Sequence, residues 1–180
     1  MMLYKIKYFK YKSKYLNLRR NNVVMSGSGN DYYYIETRDK EQVKKLNPSM
    51  SYPKFDRLFE EYSNSTYYFY YNSNNELIGF FAVEPAKEIV HSVLEEPMNG
   101  CSYVWAVEVL EKHRGKGHGY RMLNQKLNNN NCYFLRVNKD NIPGIKLYEK
   151  LGFDFYKENK IIINNVNGDV LVRDIMIRRK

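Results

Sequence analysis

The residues with the clearest chemical potential lie in a short glycine-rich stretch, residues 114–119, which reads Arg-Gly-Lys-Gly-His-Gly. Glycines let backbone N–H groups come close to an anion, and the dipole of a following helix favours negative charge at the same point. The stretch is therefore predicted to hold a phosphate group.

A strand and a helix must position this loop. The apolar run Tyr-Val-Trp-Ala-Val that begins at Tyr103 is typical of a strand buried on both faces, and Met122, Leu123 and Leu127 recur at helical spacing after the loop. Two common nucleotide motifs do not fit. The dinucleotide fingerprint requires glycine at the position of Tyr120, and no Gly-Lys-Ser/Thr follows a glycine at the spacing of the P-loop.

What remains is Arg-x-x-Gly-x-Gly at Arg114, Gly117 and Gly119, after a strand that ends in Val-Glu-Val. This pattern resembles the coenzyme A loop of the GNAT N-acetyltransferases. Residues 141–153 resemble the later signature of that family, Asn-x-x-Ala-x-x-Leu-Tyr-x-x-x-Gly-Phe, with Gly144 in place of the usual alanine. Because both signatures occur in the right order, the chain is identified as a member of the family over roughly residues 32–178.

The resemblance implies an α/β GNAT fold, a mixed central sheet of about seven strands flanked by about four helices, with acetyl-CoA as the cofactor. It implies that the backbone of Val107 and Val109 pairs with the pantetheine arm, that the N–H of Val109 polarises the thioester carbonyl, and that Asn141 contacts the pantetheine. The residues implied to bind the cofactor are Val107, Val109, Arg114, Gly115, Lys116, Gly117, His118, Gly119, Tyr120 and Asn141.

Two residues are predicted to move protons. Tyr148 matches the family's general acid, and a phenol is a donor at neutral pH; a packing role is the alternative, since the chain has 18 tyrosines. Some members carry a basic carboxylate early on the central strand, but residues 101–105 read Cys-Ser-Tyr-Val-Trp. Glu108 is therefore the candidate relay to a base, although strand alternation could turn it away from the site. Glu84 and His113 remain alternatives.

The positive charge is concentrated at the start of the chain. The formal net charge is +9, and residues 1–20 carry seven lysines and arginines and no acid. Tyrosines recur there every three or four residues, so a helix would suit an anionic surface, with a tail without function as the alternative. The stretch also resembles the Tyr/Lys-rich N-termini of large DNA virus proteins. We predict a basic leader and Ser/Gly linker over residues 1–30 and an N-acetyltransferase domain over residues 31–180.

Composition and patterning predict one globular domain. The chain has 180 residues, 43% of them hydrophobic. Lysines interrupt the apolar runs of the leader, so no secretory signal is expected, and no transmembrane span is expected either. The two cysteines, Cys101 and Cys132, argue against a disulfide scaffold and suit a reducing, cytoplasmic compartment.

Hydrophobic periodicity and turn residues predict the order of the elements. Strands are expected at residues 32–37, 66–71, 76–83, 103–109, 132–137, 154–163 and 170–178. Helices are expected at residues 38–46 and 53–62, between the glycine loop and residue 127, and between residues 141 and 152. Residues 85–100 are a candidate substrate lid or an ordinary surface excursion.

Three functions are compatible with these patterns. The first is transfer of an acetyl group from acetyl-CoA to a primary amine. The second is cofactor binding without turnover, because the usual base is absent. The third is nucleic-acid or membrane binding through the leader alone. The acceptor could be a small-molecule or a peptide amine, and Arg136, where certain protein-acetylating members carry glutamate, disfavours a peptide. A small cationic amine is expected from acids near the acceptor side, which are Glu60, Glu61, Glu84, Glu88, Glu95 and Glu96.

Overall fold

The computed structural model describes residues 24–27, 32–47, 58–85, 100–127, 131–164 and 169–179. Residues 1–23 of the predicted leader, most of the second predicted helix and the candidate lid at 86–99 lie outside the described residues. In the part that is described, no helix is long and apolar enough to cross a membrane.

Eight strands form one sheet in the order β1-β2-β3-β4-β5-β6-β8-β7. The strands are β1 Val24–Gly27, β2 Tyr32–Thr37, β3 Thr66–Asn72, β4 Leu77–Glu84, β5 Cys101–Val109, β6 Cys132–Asn138, β7 Asp154–Asn164 and β8 Asp169–Arg178. The described helices are α1 Lys40–Leu46, α2 His118–Lys126 and α3 Ile142–Lys150, with a 3-10 turn at Glu111–His113 and a helical turn at residues 58–61. The predicted mixed sheet is confirmed, with one strand more than expected.

The extra strand is β1, which falls where the sequence predicted leader and linker. It pairs antiparallel with β2, from Val24 opposite Glu36 to Gly27 opposite Tyr33. The Ser-Gly composition indicated a flexible connection, but backbone pairing with an exposed edge depends little on side chains. Among the described residues, the sheet therefore already includes Val24–Gly27, before the predicted domain boundary.

Local sequence explains where the helices begin and end. Asp39 accepts hydrogen bonds from the N–H groups of Glu41 and Gln42 and caps α1, two residues later than the predicted start. Asn141 caps α3, and Gly152 follows that helix with a φ of 81°, a left-handed conformation that suits glycine.

The central strands separate part-way along their length. β5 and β6 pair in parallel from Cys101 opposite Cys132 to Val104 opposite Leu135. β5 then continues to Val109, still paired with β4, and β6 continues to Asn138, still paired with β8, but the two strands no longer pair with each other. The two strands therefore leave a V-shaped gap whose backbone groups are open to a ligand. At the closed end, Cys101 and Cys132 form a disulfide, although the cysteine count had argued against a disulfide scaffold. The parallel pairing of β5 with β6 sets the two residues opposite each other, with their Cα atoms 4.4 Å apart.

A β-bulge at Trp105 decides which residues of β5 face each side of the sheet. Ala82 pairs with Ala106 but Val83 pairs with Val104, so Trp105 is an additional residue in β5. Trp105 and Ala106 both contact the apolar cluster under α1. Val104 and Val107 contact the opposite cluster, which includes residues of α2 and α3.

Candidate active site

A cleft of about 720 Å³ lies at the open end of the gap between β5 and β6. Its lining combines the end of β5, the glycine loop and one side of α3. The lining residues are Val107, Glu108, Val109, His113, Arg114, Gly115, Gly117, His118, Gly119, Tyr120, Asn141, Pro143, Gly144, Lys146, Leu147, Tyr148 and Lys150. The structure thus brings together all the predicted cofactor and catalytic residues except Lys116. The ammonium of Lys116 is turned away and donates to the carbonyl of Lys112 at 2.9 Å.

Part of this lining was missed from sequence, namely Pro143, Lys146, Leu147 and Lys150 of α3. The signal was available, because Pro143 with Leu147, and Lys146 with Lys150, are four residues apart and therefore share a face of the helix. The two lysines add positive charge beside the glycine loop.

The loop has the conformation that a phosphate-binding backbone needs. Gly115 and Gly117 have φ values of 74° and 75°, and nothing lies within 4 Å of the position that a Cβ would occupy on either residue. The space above the loop is therefore open. Gly117 is the residue that precedes α2, whose first N–H groups have no partner in an earlier turn. These features fit a pyrophosphate group.

Two contacts hold the loop against its surroundings. Arg114 donates from Nε to the carbonyl of Val109 at 2.9 Å and so ties the loop to the end of β5. Gly119 lies so close to α3 that a Cβ would come within 3.0 Å of the Leu147 side chain. A glycine at this position lets α2 and α3 approach each other at the edge of the cleft.

Two buried histidines lie next to the glycine loop. His113 and His118 are each 8% exposed, and their ring centroids are 6.0 Å apart. Among the described residues, Nδ1 of His118 has no hydrogen-bond partner. Burial, and then the nearby cation of Arg121, lowers the pKa of His118. His113, one of the alternative bases named from the sequence, is thus buried beside the loop.

Asn141 has a structural task in addition to its predicted contact with the cofactor. Its Oδ1 accepts the N–H of Gly144 at 3.1 Å and caps α3. A Cβ on residue 144 would lie 2.5 Å from Nδ2 of Asn141. The departure from alanine at Gly144 therefore makes room for this cap.

Tyr148 lies on the cleft wall and is only 8% exposed. Burial, with a contribution from the phenol of Tyr103, raises the pKa of Tyr148 to about 12. The phenol stays protonated at neutral pH, so it is able to donate a proton or a hydrogen bond into the cleft.

The backbone of Glu108 borders the cleft, but its side chain belongs to the other face of the sheet. Val107 and Val109 pack against the cluster that contains residues of α2 and α3. The pairing partner of Glu108 is Phe80, which lies in the cluster under α1. Residues that pair across a sheet share a face, so the Glu108 carboxylate lies across β5 from the glycine loop.

The other two candidates for the base, Glu84 and His113, both have partners within the fold. Glu84 is buried, and its carboxylate accepts hydrogen bonds from the Ser65 hydroxyl at 2.5 Å and from the N–H of Asn64 at 3.2 Å. Ser65 Oγ in turn accepts Trp105 Nε1 at 2.7 Å. His113 lies on the loop side, with Nε2 3.4 Å from the Glu76 carboxylate. Both side chains are engaged in holding the fold.

An aromatic and cationic cluster occupies the face of Glu108. Arg136 donates from Nε to the phenol oxygen of Tyr103 at 2.7 Å and from Nη2 to that of Tyr62 at 3.2 Å. The Tyr62 ring stacks on Trp105 with centroids 5.1 Å apart. Neither Tyr62 nor Tyr103 was predicted from the sequence to have a role in the site, because tyrosine is too common in this chain for one to be singled out.

The geometry agrees with a comparison of the sequence with known families. The sequence model of the Acetyltransferase (GNAT) family matches residues 31–153. The chain belongs to the GNAT family. The match includes the glycine loop and ends at Phe153, so both signatures found in the sequence lie inside this GNAT domain. No curated protein sequence matches the chain.

Solved GNAT structures share the fold at low sequence identity. A chimera of the Vibrio cholerae spermidine N-acetyltransferase and hSSAT is 16% identical, with a TM-score of 0.59 over 81% of this chain and 95% of that one. Arabidopsis thaliana NAA60 in complex with acetyl-CoA is 17% identical, with a TM-score of 0.57 over 81% of this chain and 97% of that one.

Proposed function

We propose that this GNAT protein transfers an acetyl group from acetyl-CoA directly to a primary amine. The observation that carries the proposal is one cleft in which three parts of the chain meet. These parts are the glycine loop, the end of β5 that has separated from β6, and Tyr148. Acetyl-CoA is present in the structure of the similar Arabidopsis thaliana protein. Acetyl-CoA supplies the acyl group as a thioester.

The chain's residues divide the binding of this cofactor between backbone and side chains. The N–H groups at the start of α2 hold the pyrophosphate, with Arg114 and the lysines of α3 adding positive charge. The backbone of Val107 and Val109, on the edge of β5 that no longer pairs with β6, holds the pantetheine arm. Asn141 and Tyr120 border the same path.

Transfer requires that the amine nitrogen bonds to the carbonyl carbon while the carbon–sulfur bond breaks. The N–H of Val109 stabilises negative charge on the carbonyl oxygen. Tyr148 gives its phenol proton to the leaving sulfur, and the raised pKa keeps that proton in place until it is needed. The amine loses one proton in the same reaction, so proton number balances after Tyr148 is reprotonated.

Glu108 is the candidate acceptor for the amine proton. Its carboxylate lies across β5 from the cofactor loop, and the acceptor amine must approach from that face because the cofactor occupies the other. Transfer through one water molecule suits this position. Glu84 is a less suitable base, because Ser65 and Asn64 already hold its carboxylate.

The test is a panel of amines assayed for release of free thiol from acetyl-CoA, with calorimetry of acetyl-CoA binding alongside. The panel contains polyamines, aminoglycosides, amino acids and peptides. Amine-dependent thiol release with acetylated product supports the proposal. Tight acetyl-CoA binding without acetylation of any amine would instead indicate a cofactor-binding domain without turnover.

A further inference from the structure

Arg136 lies at the position where the gap between β5 and β6 opens. Leu135 is the last residue of β6 that pairs with β5. Leu135 and Val137 pack in the cluster that includes residues of α2 and α3, whereas Phe134 packs with Tyr62 and Tyr103 on the opposite face. Arg136 therefore projects from the face opposite the cofactor loop, the side from which an acceptor must enter.

The partners of Arg136 are neutral. Its hydrogen bonds go to the phenols of Tyr103 and Tyr62, and its guanidinium lies 5.2 Å from the centroid of the Tyr103 ring. Within the described ranges, no carboxylate lies within ion-pair distance of this side chain. Glu61, which is exposed on the helical turn at 58–61, interacts with the phenol of Tyr62, and its charge also acts on Arg136 without forming an ion pair.

A partly buried guanidinium without a direct ion pair is unusual, because a charge removed from water is normally paired. The two phenols leave part of its five N–H donors unused. They also fix the orientation of the planar group, which reduces the entropy lost when it binds a ligand.

A second arginine strengthens the positive charge on this face. Arg173 of β8 is the pairing partner of Asn138 of β6, and its Nε donates to Asn138 Oδ1 at 2.9 Å. Because Asn138 lies two residues after Arg136, all three side chains share one face of the sheet. Three acids of the described residues accompany the two arginines: Glu84, which is directed at Ser65 and Asn64, Glu61, and the candidate base Glu108.

We propose that Arg136 binds a carboxylate of the acetyl acceptor, so that the acceptor is a small amine that also carries a carboxylate group. This inference rests on the proposed acetyltransferase function. A guanidinium binds a carboxylate through two parallel hydrogen bonds, which an ammonium or a neutral amide cannot offer in return. The sequence had favoured a cationic acceptor, but the Arg136 guanidinium repels a cation placed within hydrogen-bond reach of it.

The experiment compares linear ω-amino acids of increasing length with their carboxamides. Each pair has the same reach and a similar amine, and differs in one negative charge. We expect the best acid to exceed its amide by about tenfold or more in kcat/KM, as expected for a hydrogen-bonded charge. Equal values for acids and amides, or faster acetylation of polyamines, would overturn the proposal.

Variants assign the preference to the residue. Arg136→Gln should lower kcat/KM for the acid about tenfold and leave that for the amide within about threefold. Arg136→Lys should keep part of the preference, because it keeps the charge without the planar fork. Arg38→Gln is the matched control, since Arg38 also holds one hydroxyl, that of Thr66 at 3.0 Å, but at β2 and β3, which β4 and β5 separate from β6. An acid preference that survives Arg136→Gln would also refute the assignment.

Binding of the acids and amides to protein saturated with coenzyme A, measured by calorimetry, separates this inference from the proposed function. Selective binding of acids that is lost in Arg136→Gln, with no acetylation of any amine, would support the anchor and contradict the transferase. Acetylation of amines without any preference for acids would support the transferase and contradict the role of Arg136 as a carboxylate anchor. If Arg136→Gln fails to fold, Tyr62→Phe removes one of the two phenol contacts and should reduce the acid preference in part.

Discussion

The protonation states of single side chains follow from their burial. Tyr148 and His118 both lie in the wall of the cleft, and burial favours the neutral form of each. For the phenol this preserves a proton that can be donated. For the imidazole, the neutral form means that no positive charge lies at this position beside the glycine loop.

The role of Tyr148 as general acid predicts the effect of removing one hydroxyl group. Tyr148→Phe should lower kcat roughly 100-fold, because the proton donor is lost while the ring still fills its place. Acetyl-CoA affinity should change little. Tyr71→Phe is the matched control, because Tyr71 is equally buried at 8% and lies in the cluster under α1. Steady-state rates for the two variants decide the matter, and an unchanged kcat in Tyr148→Phe would assign this residue to packing.

The lowered pKa of His118 predicts a stability that depends on pH. As pH falls below the ordinary histidine value of about 6.5, the unfolded chain takes up a proton that the folded protein resists. The free energy of unfolding should therefore decrease from about pH 6.5 downward, until pH reaches the lower folded-state pKa.

Denaturant unfolding of wild type and His118→Gln across this range measures the effect. The difference in unfolding free energy between the two proteins should be constant above about pH 7.5 and shift in favour of the variant as pH falls. Curves that stay parallel throughout would show that His118 does not resist protonation in the fold.

At the scale of elements, most boundaries follow from sequence. Hydrophobic alternation and turn residues placed seven strands within one or two residues of their observed ends, as at Tyr32–Thr37 and Cys132–Asn138. Those signals are local, because each depends only on neighbours along the strand. The edge strand β1 carried no such signal in the sequence. It is recognised from the pairing of its backbone with β2.

Features that depend on distant partners were not predictable. The bulge at Trp105 appears only when β5 is paired with β4, and it decides the face on which Glu108 lies. The partners of Arg136 are 33 and 74 residues away along the chain. The cofactor side of the cleft was found from sequence because it is built from two continuous segments, whereas the acceptor side is assembled from several.

The loop conformation leads to a prediction for the strand–loop–helix unit. Gly117→Glu should abolish acetyl-CoA binding, because the new carboxylate would occupy the phosphate space and repel it. A side chain at positive φ also costs on the order of 1–2 kcal/mol. Gly100→Glu controls for both effects, since Gly100 has a φ of 83° and open space around it but lies outside the loop. Calorimetry should show binding in the control alone, and binding in both proteins would contradict the phosphate site.

For the whole molecule, charge is distributed separately from the site. Seven of the 29 lysines and arginines, and no acids, fall in residues 1–20. The remainder of the chain is close to neutral, and the cleft residues all lie between Val107 and Lys150. Attraction to nucleic acid or to an anionic membrane is therefore expected from the leader, and acetyl transfer from the sheet and its helices.

Two deletions separate these parts. Removing residues 1–23 should leave acetyl-CoA affinity and melting temperature unchanged, because the first described strand starts at Val24. Binding to DNA or anionic vesicles should weaken, and the slope of log K against log salt should fall by up to about six as seven cations are lost. Removing residues 1–29 also deletes β1 and exposes the edge of β2, so this second variant should melt at a lower temperature and aggregate more readily. Thermal unfolding of both proteins is the measurement. A lower melting temperature already in the shorter deletion would mean that residues 1–23 pack on the domain, and equal melting of all three proteins would mean that β1 contributes nothing to its stability.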